Sequence, residues 1–128
     1  MAKNENSFQR RVHEWVLHCF GQETAYDKKE RNHRFLEEAL ELVQSAGCTR
    51  EEADTLVDYV FNREVGNPPQ EVGGVMVTLA SLCEANSINM SEAGEYELTR
   101  VWTKVEKLRA KHAAKPRSSP LPGDYKYE

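Results

Sequence analysis

The sequence predicts an all-α domain, a compact helical bundle of about five helices. Three observations carry that expectation. Between Ser7 and Lys111 the apolar residues recur at helical spacing. Helix start and stop signals punctuate that pattern. The one segment readable as a buried strand, 72–79, continues into Ala and Leu at a length that favours helix.

Each element follows in order. Ser7 is placed to cap a first helix carrying Phe8, Val12, Trp15, Val16 and Phe20, which Gly21 stops. A polar stretch, 22–30, leads to a second helix ending near Ala46 and Gly47, with Phe35, Leu36, Ala39, Leu40, Leu42, Val43 and Ala46 as its apolar stripe. Thr49 and Glu52 have the spacing of a capping box, in which each side chain satisfies the other residue's free amide. The third helix is therefore expected over about 50–62, with Ala53, Leu56, Val57, Val60 and Phe61 inward.

Gly66-Asn67-Pro68-Pro69 breaks the chain, and proline suits the first turn of a helix. The fourth helix, about 69–85, is apolar nearly all round, which predicts a central position. Ser91 is expected to cap a fifth, about 92–112, with Tyr96, Leu98, Val101, Trp102, Val105 and Leu108 inward. The expected organisation is a flexible N-terminus over 1–6, one all-α domain over 7–112, and a Pro-rich tail over 113–128.

Composition narrows the function classes. A chain of 128 residues has about one domain's length. Its 21 acidic and 17 basic residues give a formal net charge of −4, against the basic excess of a general nucleic-acid binder. No run approaches the ~18 apolar residues of a membrane span. Residues 1–6 lack the apolar centre of a signal peptide. Cys19, Cys48 and Cys83 are widely spaced and form no C-x-x-C pair, so partly buried free thiols and a cytoplasmic location are expected. No histidine pair has metal-ligand spacing, and the four histidines read as solvated or packed.

The acids carry the chemistry. At about 100° per residue, Glu37, Glu38 and Glu41 share one arc of the second helix. Like charges so close repel, and a hard divalent cation with oxygen ligands would turn that repulsion into binding. The same arc lies nearly opposite the apolar stripe, as a plain solvated face would. Glu71 shares a face with Val75, Thr78, Leu79 and Leu82, so it is expected to project among apolar neighbours, where a carboxylate needs a partner or a metal. It also sits in a first turn, where the helix dipole favours an acid.

With these residues in place, the chain resembles the MazG-like, all-α nucleoside triphosphate pyrophosphohydrolases. Glu37-Glu38-Ala39-Leu40-Glu41 matches the family's Glu-Glu-x-x-Glu signature. The second signature, Glu-x-x-Asp, is half met by Glu71-Val72-Gly73-Gly74, with glycine where the aspartate belongs. Ala85-Asn86-Ser87-Ile88-Asn89-Met90 is similar to the family's Ala-x-Gly-Ile-Asp-Leu turn, departing at Ser87 and Asn89. Lys104 and Lys107 fit its lysine-bearing last helix.

The resemblance implies Mg²⁺-dependent (or Mn²⁺-dependent) cleavage of a nucleoside triphosphate to a monophosphate and pyrophosphate. It makes Glu37, Glu38, Glu41 and Glu71 the metal ligands, with Glu38 or Glu41 orienting or deprotonating the attacking water. Lys104, Lys107 and Arg109 would offset phosphate charge and Trp15 would stack on a base. For these four the bland readings are a solvated basic face and a core tryptophan. A homo-oligomer, dimer or tetramer, is also implied. The missing carboxylate at Gly74 leaves two further classes open: an inactive nucleotide-binding protein, and a helical protein-interaction module.

Overall fold

The computed structural model describes residues 6–114; of the N-terminus expected over 1–6 and the Pro-rich tail expected over 113–128, all but Asn6, Ala113 and Ala114 lie outside the described residues. The described residues are all-helical. Seven helices follow one another: α1 (Phe8–Phe20), α2 (Gln22–Ala25), α3 (Lys28–Ser45), α4 (Arg50–Phe61), α5 (Pro68–Ala85), α6 (Met90–Trp102) and α7 (Val105–Ala113). None of them is long and apolar enough to cross a membrane.

Seven rather than five has two local causes. The polar stretch before α3 contains the short α2, and α3 begins earlier than the apolar stripe, because the Asp27 carboxylate accepts from the Glu30 amide at 3.1 Å. The expected last helix is divided at Thr103 and Lys104. There the Thr103 hydroxyl donates to the Arg100 carbonyl at 2.6 Å, and the Trp15 indole donates to the Val101 carbonyl at 3.3 Å. The same carbonyls also accept from the Thr103 and Lys104 amides three residues on, at 3.0 Å each, so the backbone tightens into a turn there and the side chains share its acceptors.

The chain divides into two compact units, Glu41–Gly94 and the residues on either side of it. In the flanking unit α1 packs on α2 and on α7. Val16, Cys19 and Leu98 are its buried apolar side chains. Trp15 meets Phe20 edge-to-face at 5.6 Å, and Phe20 lies 4.9 Å from the His112 ring. Gly21 ends α1 with φ 89°, its amide donating to Leu17.

The unit Glu41–Gly94 is defined by its caps. Gly47, at φ 97°, closes α3 in a Schellman motif: its amide bonds Gln44 and the next amide, of Cys48, bonds Val43. The capping box at α4 is complete, with Thr49 and Glu52 exchanging amide bonds of 2.8 and 3.2 Å. Asn67 caps α5 through the Gln70 amide, and Pro68 opens it. α6 is capped two residues earlier than expected, by Asn89 rather than Ser91, with the Glu92 amide 2.9 Å from its side-chain oxygen.

The expected core is corrected here. Phe35, Leu36 and Leu40 of α3 are exposed, as are Leu56, Val57, Val60 and Phe61 of α4. α5 is not central in the single chain: Val72, Val75, Met76 and Val77 are exposed, Val77 to 70%. Tyr96 and Trp102 are exposed too. Helical period sorts residues onto faces, but it does not supply a surface to cover each face, and here one chain does not. The half-buried apolar side chains of Glu41–Gly94 are Leu42, Val43, Cys48, Ala53, Leu79, Leu82 and Cys83.

Candidate functional site

α3 carries the acidic arc. Glu37 is half-buried and accepts from Arg34 one turn back at 3.1 Å, so one of the three charges is compensated within the helix. Glu38 is exposed and adds to the negative field at Arg100 of α6. Glu41 is exposed one turn further on. The three share an arc of α3, as the spacing predicts.

Glu71 lies in the first turn of α5, but it is exposed rather than inserted among apolar neighbours. Its carboxylate folds back on the loop before the helix. A Cβ built at Gly66 would stand 2.6 Å from a Glu71 carboxylate oxygen, so a side chain there would push the Glu71 carboxylate aside. Val75, on the face expected to bury Glu71, is itself exposed, which removes the physical reason for burial. At Gly73 and Gly74 an added Cβ meets nothing within 4 Å, so neither glycine serves a close helix contact.

The residue types suit magnesium chemically, since all four are carboxylates, Glu37 half-buried and Glu38, Glu41 and Glu71 exposed where a cation could keep several waters. Among the described residues no group of three or more His, Cys, Asp or Glu side chains is arranged to hold a metal ion.

The other expected residues have structural engagements. The Trp15 indole is bonded to Val101 and packed on Phe20. The Arg109 guanidinium donates to the Cys19 carbonyl at 2.9 Å and the His18 carbonyl at 2.5 Å, capping the end of α1. That cation sits at the negative end of the helix dipole. Lys104 and Lys107 are exposed, Lys104 at the α6–α7 break and Lys107 on α7.

Several groups show how electrostatics are distributed. Arg11 grips Glu95 through both terminal nitrogens, at 2.8 and 2.5 Å; that bond holds the Glu95 carboxyl below its ordinary range and raises Arg11. Glu97 is lowered by its bidentate bond to Arg100, and Glu52 by the Thr49 amide of the capping box. Burial pushes the Cys19 thiol up, with Arg109 partly opposing. All three cysteines are free, Cys19 buried and the other two half-buried.

The sequence reading missed a buried carboxylate. Glu30 is 2% exposed, accepts from Arg31 at 2.8 Å and lies 3.9 Å from His112 Nδ1. A signal was present. Asp27-Lys28-Lys29-Glu30 has the spacing of a helix start, which places Glu30 in the first turn and not in a loop.

The turn 85–90 has a defined geometry at the two positions, Ser87 and Asn89, where the resemblance is incomplete. Ser87 has φ 56°, and its amide and that of Ile88 bond Glu84 and Cys83 in a second Schellman motif. Ser87 therefore stands at the left-handed position that glycine favours, and Asn89 at the N-cap position that aspartate fills equally well. Comparison with known proteins finds no matching family model, no matching curated protein and no matching solved structure.

Proposed function

We propose that the chain is a magnesium-dependent nucleoside triphosphate pyrophosphohydrolase, acting in the cytoplasm, that yields a nucleoside monophosphate and pyrophosphate. The observation that supports this reading most is the arc of Glu37, Glu38 and Glu41 on α3, in chain order with Glu71 and the 85–90 turn. In the turn, glycine-type geometry at Ser87 and an acid-type cap at Asn89 sit where the family's Gly and Asp belong.

In this reading Glu37, Glu38, Glu41 and Glu71 hold magnesium, with manganese as a substitute. A magnesium ion held there would supply neutralisation of phosphate charge and a bound water of lowered pKa. Glu38 or Glu41 orients the attacking water and takes its proton as the new P–O bond forms at the α-phosphorus. The α–β bridging P–O bond breaks, and pyrophosphate leaves. Lys104 and Lys107, both exposed, remain available to screen phosphate oxygens. Trp15 and Arg109 enter this reading as supports of α1, through their bonds to Val101, Cys19 and His18.

The reading includes a homo-oligomer, dimer or tetramer. Exposed apolar side chains gathered on a helix mark an interaction face, and Leu56, Val57, Val60 and Phe61 on α4 and Val72, Val75, Met76 and Val77 on α5 are such side chains. A second copy of the chain is the proposed cover. The same surface favours the alternative of a helical protein-interaction module without nucleotide chemistry.

Incubation with a panel of canonical and modified nucleoside triphosphates plus magnesium or manganese decides among these. Pyrophosphate release that falls sharply in Glu38→Gln and Glu41→Gln supports the enzyme. Magnesium-dependent nucleotide binding without turnover favours an inactive nucleotide-binding protein, and absence of any nucleotide binding favours the interaction module. A monomer at micromolar concentration by light scattering refutes the oligomer.

A further inference from the structure

A cavity of about 640 Å³ lies in the flanking unit, among residues of α1, the end of α2 with Tyr26, and the start of α3. That volume falls within the usual range for small-molecule sites. Its wall includes Arg10, Arg31, His13 and Tyr26 over the apolar side chains Val12 and Val16, and no carboxylate lines it among the described residues.

The two arginines are differently prepared. Arg10 is half-buried, and its guanidinium takes no hydrogen bond or ion pair among the described residues; only its backbone amide is engaged, by Ser7. Arg31 is oriented from behind by the buried Glu30 carboxylate, 2.8 Å from one terminal nitrogen. Its Nε is buried and has no partner. That nitrogen is sealed from solvent and cavity alike, so a ligand would meet Arg31 through the accessible part of its side chain, which is 28% exposed. The His13 ring and the Tyr26 hydroxyl, 3.1 Å apart, add a polar pair to the same wall.

We infer that this cavity binds the phosphate group of a small phosphate compound. A guanidinium fork matches phosphate oxygens in pairs, and apolar side chains beside it lower the local polarity, which strengthens charge-assisted bonds. A carboxylate has two oxygens and is filled by one fork. Two separate guanidinium groups with a polar pair beside them suit a tetrahedral anion, whose oxygens point several ways. Glu30 cancels about one of the two positive charges, which leaves the excess that an incoming anion needs. The site is independent of the metal-dependent reading above, because none of its groups is among those four glutamates.

The test uses the full chain, isotope-labelled, in chloride buffer containing EDTA at neutral pH, so that magnesium-dependent binding contributes nothing. Inorganic phosphate, ribose 5-phosphate and acetate are titrated while the amide and arginine side-chain resonances are followed. Saturable shifts centred on Arg10, Tyr26 and Arg31 with a phosphate compound, and none with acetate, are expected. Tighter binding of inorganic phosphate assigns the site to the free anion, and tighter binding of ribose 5-phosphate assigns it to an ester. Arg10→Gln should weaken binding at least about tenfold, the loss of one charge-assisted pair, with an unchanged melting temperature. Arg10→Gln carries the test because Arg31→Gln would also strand Glu30. Failure of either phosphate to saturate, acetate binding as tightly, or Arg10→Gln binding like the parent chain overturns the assignment.

Discussion

Gly74 is the position where the proposed chemistry is most exposed to test, and restoring a carboxylate there is sterically free. A Cβ at Gly74 meets nothing within 4 Å, and the local backbone is already fixed by the Thr78 hydroxyl donating to the Gly74 carbonyl at 2.9 Å. Two substitutions separate backbone from charge. Gly74→Ala should stabilise the helix by about 1 kcal/mol through propensity alone. In Gly74→Asp the gain falls to about 0.3 kcal/mol by propensity, and repulsion from Glu71, one turn back, removes about as much. Without metal the aspartate variant should therefore melt close to the parent chain and below the alanine variant. With magnesium the order changes. A further hard-oxygen ligand that tightens binding tenfold adds about 1.4 kcal/mol at saturation, or about 5 °C in melting temperature for a chain of this size. Thermal melts in EDTA and in excess magnesium read this difference, and pyrophosphate release should rise in the aspartate variant only. A magnesium response equal in the aspartate, alanine and parent proteins would refute the placing of a metal beside Glu71.

Two further outcomes follow from local geometry. Ser87→Gly removes a side chain from a left-handed residue at φ 56° while keeping the two amide bonds of the motif, so stability should rise by about 1 kcal/mol, and an unchanged or lower urea midpoint would count against it. The carboxyl groups of Glu52, Glu95 and Glu97 titrate below their ordinary values when folded, so their contribution is present above the unfolded pKa of about 4.3 and lost as pH falls through the depressed folded values. Melting temperature should accordingly be insensitive to these groups between pH 7 and about 5 and decline at lower pH, with a shallower acid decline in Glu95→Gln; identical acid profiles for the variant and the parent would remove Arg11–Glu95 from the account.

What could be read from the sequence was local. Ser7, the Thr49–Glu52 box and Asn67-Pro68 act through amides three residues away, so spacing alone identifies them. The division of the last helix was not legible. It depends on the Trp15 indole reaching Val101, 86 residues on, and no local pattern encodes such a bond. Arg109 has the same character, since the carbonyls it caps belong to His18 and Cys19. Glu71 failed differently. Its predicted burial assumed that a face of Val75, Leu79 and Leu82 would be covered, whereas Val75 is exposed and the other two are half-buried. The glutamate spacing on α3 needed only the helical period, and it stands.

α3 carries two kinds of surface. Phe35, Leu36 and Leu40 are exposed on a helix whose acidic arc is Glu37, Glu38 and Glu41. These two surfaces lie on nearly opposite sides of the helix, so on the proposed reading a second copy seated on the apolar positions leaves the acidic arc in water. The carboxylates then keep their hydration, and Arg34 screens the arc further at Glu37. Dimer formation through α3 should therefore be independent of metal: light scattering in EDTA and in excess magnesium should return the same oligomeric state, and a state that changes with magnesium would refute the separation of the two surfaces.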